Sequence, residues 1–443
     1  MPLVSIREVR SWQKMRHPIF SARGTVMLAA GTPLTVSLMS RLTGLNFQWL
    51  EVCDREMPDE GLNPALPNEL RGQALQVLRG AFRAVGSAYR LNRRELERNR
   101  LPSISPDYVR ERLLRRRRRD RLAHDLLGPN IVEVSYRIGD AAIAADAAGT
   151  LPFGSNRSPR TFLAAHCLDV ALTSGMLARD FHYERDEVAR IVLGALFHDV
   201  GHVLFPEGWF FGSGPDEDAA PPSAQVLARA HRLHPVLGYL ILKEQRVTDL
   251  LTAHVAYQHH EHQDGSGFPR GLKGPNRVLS REQALHTSPM LIHRYANIVA
   301  VANTYDRLIS TPPGGFGLPP QEAARRLRAL AGTHLNRAAV SGLLAAVPPF
   351  PVASDVWVTG GEYDGFQGIV VQVRRRRMNQ PVVRLTFNRE GKRIQPVEID
   401  TASEPMRLSV EPPAGGGLSD VAGPPSVASR PRHRRGSGQG REA

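Results

Sequence analysis

Histidine is the residue of this chain best suited to chemistry, and its distribution is uneven. The sequence has 443 residues and 16 histidines, and 12 of these lie between His166 and His293. Imidazole titrates near neutral pH and is a common ligand of transition metals. We therefore expect the chemistry of this protein to be found within that window.

Three positions in the window place an imidazole where a metal ligand is expected. His198 and Asp199 follow the apolar segment 191–197, at the predicted end of a helix where both side chains can face one pocket. Such a pair can ligate one metal each, or the carboxylate can bridge two. His166 lies on the apolar face of another predicted helix, and His234 faces inward near the start of a third.

Two further imidazoles are adjacent in the sequence, at His259 and His260. Adjacent residues cannot share one helix face, so a tandem pair at a helix end suits the ligation of neighbouring metal ions. Divalent first-row metals accept imidazole and carboxylate together. A single buried histidine is more often a hydrogen-bonded core residue, but four such groups within 166–260 favour a metal centre.

Helical periodicity surrounds these residues and predicts a mainly α protein. Apolar residues at i, i+3, i+4 spacing predict an all-helical domain over 156–345, with helices at about 160–180, 186–199, 224–245, 247–260, 282–310 and 320–345. Composition divides the rest into a small N-terminal α+β region at 1–55, an Arg-rich helical segment at 68–150, a small β module at 352–410 and a disordered tail at 411–443.

Composition also limits the partners that we expect. The net charge is +14, but only four of the 57 basic residues are lysines, which points to genome composition more than to a nucleic-acid partner. The runs Arg115–Arg119 and Arg374–Arg377 lack interleaved aromatics and are interpreted as solvated faces. No apolar run predicts a membrane segment or a secretory signal, and Cys53 and Cys167 predict no disulfide framework. We expect a cytoplasmic protein.

The order H…HD…HP…HHExxDGxGFP resembles the HD-GYP family of metal-dependent phosphohydrolases. The resemblance covers about 156–345, and its most specific part is the segment HHEHQDGSGFP at 259–269. It implies an all-helical HD-type domain that binds two or three iron or manganese ions and hydrolyses cyclic di-GMP to linear pGpG or GMP. The metal ligands that it implies are His166, His198, Asp199, His234, His259, His260 and Asn303.

Several positions depart from the pattern of that family. Asn303 stands where the family has an aspartate, and it retains one carbonyl oxygen for a metal but not the charge. His202 stands where the family has a lysine that stabilises phosphate charge. His202 is interpreted either as a catalytic group that contacts phosphate or as a surface residue. Phe162 replaces the glutamate of three-metal members, which favours two divalent ions, Fe or Mn.

The implied substrate contacts also differ. Gly267, Phe268 and Pro269 replace Gly-Tyr-Pro, and we expect this loop to contact the cyclic dinucleotide and signalling protein partners. The family's Arg-Pro-Tyr stretch is missing at 311–315, and Arg307 and Arg294 are candidate substitutes.

Two functions remain open on this resemblance. The leading hypothesis is a cyclic di-GMP phosphodiesterase in which Asp199 bridges the two ions, and the complete set of metal histidines favours it. The alternative is a catalytically degenerate domain that binds cyclic di-GMP or a protein partner without turnover. Asn303, His202 and the missing Arg-Pro-Tyr stretch favour this alternative.

Overall fold

A computed structural model describes most of the chain. The described residues are 3–6, 9, 13–15, 18–21, 24–45, 47, 49–53, 65–89, 111, 126–128, 130–145, 161–206, 209–210, 223–286, 288, 290–310, 317–352, 354–374, 377–403 and 406–409. Predictions for the Arg115–Arg119 run, the 311–315 segment and the 411–443 tail lie outside these residues.

The N-terminal region is a small α+β unit with its own core. Its elements are β1 (Leu3–Ser5), β2 (Lys14–Met15), β3 (Ile19–Phe20), β4 (Val26–Leu28), α1 (Val36–Gly44) and β5 (Trp49–Cys53). Strands β1 and β2 flank β5 in one antiparallel sheet, and β3 pairs with β4. Thr35 caps α1 by accepting a hydrogen bond from the backbone N–H of Leu38.

Helix α2 (Asn68–Tyr89) links this unit to the helical domain, where it lies beside α3 (Asn130–Ala144). A Cβ added at Gly72 would lie 2.3 Å from the carbonyl oxygen of Gly24, so only glycine permits this approach of the β3–β4 turn. On its other side, α2 supplies Arg71, whose Nη2 lies 2.8 Å from Oδ1 of the buried Asp169. Helix α2 is thereby attached to both units.

The helical domain is built around α4 (Phe162–Asp180), which is buried over most of its length. Helices α3, α5, α9 and α11 pack around it. The other elements are α5 (Arg185–Leu196), a 3-10 helix (Val200–Leu204), α6 (Ala224–Leu242), α7 (Leu250–Gln258), α8 (Arg281–Leu285), α9 (Arg294–Ile309), α10 (Pro320–Leu330) and α11 (Arg337–Ala346). A mainly α fold is confirmed.

Two long helices expected from periodicity are each divided in two. The segment 282–310 is divided because the chain is extended just before α9. In that stretch the N–H of Ile292 donates a hydrogen bond to the carbonyl of Lys273. The segment 320–345 is divided at Gly332, which has a φ of 94°, and Asn336 then caps α11. Apolar periodicity continues through both breaks, so it did not reveal them.

The C-terminal module is a five-stranded antiparallel sheet in the order β10-β6-β7-β8-β9. Its strands are β6 (Asp355–Thr359), β7 (Gln367–Gln372), β8 (Val382–Phe387), β9 (Arg393–Asp400) and β10 (Arg407–Ser409). Val370, Val383 and Leu385 are fully buried and belong to the same hydrophobic core as the helical domain. No helix among the described residues is long and apolar enough to cross a membrane.

Candidate metal centre

The candidate ligands lie on five separate parts of the helical domain. His166 is on α4, His198 and Asp199 follow α5, His234 is on α6, the tandem pair follows α7 and Asn303 is on α9. Six of the seven side chains are buried, and His260 is half-buried. The candidate ligands thus lie at helix ends and on inward helix faces, the positions that the periodicity of the sequence predicts for them.

The first ligand group contains His166, His198 and Asp199. Their ligand atoms all lie within 4.8 Å of one another. The Nε2 atoms of both histidines are 3.5 Å from Oδ2 of Asp199. One oxygen of the carboxylate therefore belongs to this group.

The second group contains Asp199, His234, His259 and His260, whose ligand atoms also lie within 4.8 Å of one another. Here the other carboxylate oxygen is used, because Oδ1 of Asp199 lies 3.2 Å from Nε2 of His234 and 3.3 Å from Nε2 of His259. Asp199 thus presents one oxygen to each group, which is the geometry of a bridging carboxylate.

The polar atoms at the centre of these groups have no hydrogen-bond partner among the described residues. They are Nε2 of His166, His198 and His260 and both carboxylate oxygens of Asp199, all of them buried. Oδ1 of Asn303 on α9 is likewise buried without a hydrogen-bond partner among the described residues. Buried polar atoms in a native protein are normally satisfied, and these are the donor atoms that divalent first-row ions prefer. The residues present therefore fit a divalent metal centre.

Backbone carbonyls orient three of the imidazoles. The Nδ1 atoms of His198, His234 and His259 lie 2.7, 2.5 and 2.9 Å from carbonyl oxygens three residues earlier, those of Ala195, His231 and Ala256. A carbonyl oxygen only accepts, so each Nδ1 carries the proton and each Nε2 presents a lone pair to the centre.

His166 is oriented by a carboxylate instead, that of Asp306. Its Nδ1 lies 2.6 Å from Oδ2 of Asp306. Burial lowers the pKa of His166, but the neighbouring carboxylates of Asp199 and Asp306 outweigh burial and raise it overall. Sequence reasoning did not single out Asp306, although it lies three residues after Asn303 and hence on the same helix face.

The titration states of the other groups suit metal binding. Burial lowers the pKa of His198 to about 3 and that of His234 to about 4, so both imidazoles are neutral. Burial raises the pKa of Asp199, but the neighbouring His198 and His202 lower it well below its usual range. Neutral imidazoles around an ionised carboxylate are the ligand-competent forms.

The loop after the tandem histidines is held by its own acidic residues. The carboxylate of Glu261 accepts hydrogen bonds from the backbone N–H groups of Arg270 and Leu272, each at 2.7 Å. A Cβ added at Gly267 would lie 2.3 Å from the backbone nitrogen of His262, so the loop requires glycine there. Pro269 follows a cis peptide bond, and the ring of Phe268 stacks on His260 at 4.7 Å.

His202 lies inside the site, so its interpretation as a surface residue is wrong. It is 4 % exposed, and its ring stacks on that of His234 with centroids 3.9 Å apart. Its Nε2 is 3.8 Å from Oδ1 of Asp199. A Cβ added at the preceding Gly201 would lie 2.0 Å from the carbonyl oxygen of His234, so glycine allows the 3-10 helix to press against α6.

His231 is a site residue that sequence reasoning missed. Its ring centroid lies 4.8 Å from that of His260 and 5.6 Å from that of Phe268. Burial lowers its pKa to about 2. Its position three residues before His234, on the same face of α6, was the available signal.

The two arginines proposed to replace the missing phosphate contacts have different surroundings. Arg294 is buried, forms an ion pair with Glu187 and lies over the rings of Tyr183 and Tyr295, so its proposed role is wrong. Arg307 is half-buried and lies one helical turn after Asn303. No carboxylate among the described residues forms an ion pair with it.

An aromatic ring lies beside the first ligand group. Phe162 stacks on His166 with centroids 6.3 Å apart and an interplanar angle of 16°. A benzene ring offers no ligand atom for a further cation on that side. The number of ions stays a prediction.

Comparison with known proteins agrees with this site. Residues 163–308, which contain every candidate ligand, match the family model described as HD domain. A cyclic di-GMP phosphodiesterase of Thermotoga maritima is 29% identical over 180 residues, which cover 40% of this chain and 43% of that protein. Cyclic di-GMP phosphodiesterase PA4108 of Pseudomonas aeruginosa is 27% identical over 227 residues, covering 51% and 48%.

A third relative is the cyclic di-GMP phosphodiesterase response regulator RpfG of Xanthomonas campestris pv. campestris, 30% identical over 141 residues and 32% of each chain. The alignments span less than half the length of these relatives. The helical fold and its imidazole–carboxylate centre are those of an HD-domain protein, a class that binds divalent metal ions. The order of the ligands is similar to that of the HD-GYP family, and the relatives named above support this resemblance.

Proposed function

We propose that this chain is a metal-dependent phosphodiesterase that hydrolyses cyclic di-GMP to linear pGpG or GMP, using two divalent ions, Fe or Mn. The observation that carries the proposal is Asp199, whose two oxygens lie in two different groups of buried imidazoles. A single carboxylate shared in this way suits a pair of ions for phosphodiester hydrolysis.

In this proposal the protein positions the ions and the substrate, and the ions activate water. When bound, two divalent ions lower the pKa of water and neutralise charge on phosphoryl oxygens. Asp199 would hold the two ions through its two oxygens, and the imidazoles whose Nδ1 atoms bond to backbone carbonyls would present their Nε2 atoms without reorganisation. His202 and Arg307 contact the phosphoryl group, and the Gly267–Pro269 loop contacts the nucleotide and signalling partners.

A second function is supported by one residue. Asn303 offers a neutral oxygen where the family has a carboxylate, and that oxygen is buried without a hydrogen-bond partner among the described residues. A neutral ligand holds a dication less tightly than a carboxylate does. The alternative is therefore a degenerate domain that binds cyclic di-GMP or a protein partner without turnover.

The test is metal analysis and product chromatography on protein purified without oxygen. We expect close to two Fe or Mn ions per chain, and pGpG or GMP as product. His198→Ala and His260→Ala should lose metal and any hydrolysis, because each removes a ligand. His286→Ala is the matched control, since His286 is exposed at the end of α8.

Two results would contradict the proposal. If the protein takes up neither Fe nor Mn after reconstitution, both the proposed metal site and the proposed mechanism are wrong. Equal loss of metal in His286→Ala and His198→Ala would mean that the histidines act through folding.

A further inference from the structure

One of the candidate metal ligands, His260, is oriented differently from the others. The other four imidazoles each have a hydrogen-bonded Nδ1, three with backbone carbonyls and one with the carboxylate of Asp306. Neither nitrogen of the His260 ring forms a hydrogen bond with a residue that the structure describes, and its Nε2 is buried. Rotation of a histidine ring about its Cβ–Cγ bond has only broad preferred positions, so a contact must fix the plane of this ring.

The contact that fixes this plane is the ring of Phe268. The centroids of the two rings are 4.7 Å apart, and their planes differ by only 13°. Rotation of the imidazole would break this stacking and drive its edge toward the phenyl ring. The ring of His231 meets both rings edge-on, with its centroid 4.8 Å from that of His260 and 5.6 Å from that of Phe268. Aromatic packing therefore does for His260 what a hydrogen bond does for the other imidazoles.

The backbone of the loop holds Phe268 over the imidazole. The N–H of Phe268 donates a hydrogen bond to the carbonyl of His260 at 3.1 Å, so the loop returns to the residue that it left. Two residues after Phe268, the N–H of Arg270 donates to the carboxylate of Glu261 at 2.7 Å. The chain is thus fixed both at Phe268 and just beyond it.

The ring of Phe268 also carries a guanidinium from α6. Cζ of Arg232 lies over this ring, 4.8 Å from its centroid. Arg232 is exposed and lies two residues before His234, so its cation–π contact joins the loop to the helix that carries another candidate ligand. A positive charge near ligands suited to dications opposes metal binding by Coulomb repulsion, so Arg232 can favour metal binding only through the ring that it holds.

We propose that Phe268 is a positioning residue that orients His260 for metal ligation, and that Arg232 holds the ring of Phe268 in place. The proposal rests on the proposed function for the presence of an ion in the second ligand group, to which His260 belongs. It gives Phe268 a role in the metal centre besides the nucleotide and partner contacts of its loop.

The experiment measures the release of Mn²⁺ from the loaded full chain to a chelator, without substrate. Phe268→Leu keeps an apolar side chain but removes the ring, and one of the two ions should be released about tenfold faster, because loss of a residue that orients a ligand weakens metal affinity. The other ion should be released as in the wild type, because the first ligand group does not contain His260. Phe268→Tyr keeps the ring and should retain both ions.

Arg232→Ala separates packing from charge. Loss of a nearby cation would by itself slow the release of a dication, whereas loss of the contact that holds the ring of Phe268 should speed up release of the same ion, by about threefold. Slower release would show that the charge of Arg232 dominates and would overturn its role in the proposal.

The matched control is Phe366→Leu, the same change on a ring that packs against Tyr363 in the C-terminal module, with centroids 5.5 Å apart. It should release both ions as the wild type does. If Phe268→Leu also does so, or if it releases both ions equally faster, Phe268 does not position His260. If the wild type holds both ions but does not cleave cyclic di-GMP, the proposed function is wrong and the role of Phe268 stands.

Discussion

At the scale of single residues, the candidate ligands include one ionised carboxylate and one neutral amide. Asp199 is ionised and faces imidazoles on both sides, whereas Asn303 contributes a neutral amide oxygen. At short range in a partly dry site, a full charge has a large effect on a bound dication. Asn303 should therefore limit metal retention.

Asn303→Asp should slow metal loss to a chelator by about tenfold or more, since 1.4 kcal/mol of added charge interaction is already tenfold. It should also raise the rate of cyclic di-GMP cleavage. Thr304→Asp is the control, because it adds the same charge one residue along, on a side chain that bonds to the carbonyl of Ala300. Tighter metal binding without cleavage would support the degenerate domain, and no change in retention would show that Asn303 is not a ligand.

Asp306 should act on one metal only, through His166. Asp306→Asn removes the charge that faces Nδ1 of His166, and loss of such a partner typically costs 10–100-fold in metal affinity. Elemental analysis after dialysis should then give close to one ion per chain. Ser310→Ala is the matched control, because it removes a 3.1 Å bond to the same carboxylate without changing its charge and should retain both ions.

At the scale of elements, the site depends on close backbone contacts between short segments. The 3-10 helix carries His202 and lies against α6 through Gly201, whose missing side chain leaves room for the carbonyl of His234. That carbonyl belongs to a candidate ligand, so the spacing of the two elements sets the position of the imidazole.

Gly201→Ala should lower the free energy of unfolding by about 2 kcal/mol, as is usual when a tight contact is overpacked. It should also reduce metal content, because α6 must move away. Gly80→Ala is the control: Gly80 is exposed in α2, and a Cβ there meets nothing within 4 Å. This variant should gain about 0.5–1 kcal/mol from helix propensity. If urea denaturation gives both variants the same change in the free energy of unfolding, the contact between Gly201 and the carbonyl of His234 is unimportant.

At the scale of the whole molecule, one hydrophobic core joins the helical domain to the C-terminal sheet, and α2 joins it to the N-terminal unit. The buried imidazoles lie inside this core. The stability of the folded protein should therefore depend on the protonation of these imidazoles.

The metal-free protein should lose stability as the pH falls below about 6.5, the ordinary histidine pKa. The pKa values of His198, His231 and His234 are about 3, 2 and 4, so below 6.5 the unfolded chain binds protons that the folded chain does not. His166 opposes this trend, because its pKa is raised and its contribution is lost as the pH rises.

Urea denaturation at pH 8 and pH 5.5 should show this decrease, and bound metal should be released over the same range, because protons compete for Nε2. The stability of His198→Ala should depend less steeply on pH. Stability that is constant between the two pH values would mean that the imidazoles are not buried in the metal-free state.

The sequence by itself determined the class of fold and the candidate ligands. Helical periodicity showed that His166 and His234 face inward, and the tandem His259 and His260 required two neighbouring positions at a helix end. These are local properties, because the side chains that share a helix face depend only on spacing along the chain.

The tertiary structure decided which inward faces meet. The bond between His166 and Asp306 joins residues 140 positions apart, and the pairing of Arg294 with Glu187 removes an arginine that spacing alone left available. The contact of His231 with the ring of His260 is likewise a property of the tertiary structure. Periodicity specifies that a face is buried but not its partner, because that choice depends on the packing of helices distant in the sequence.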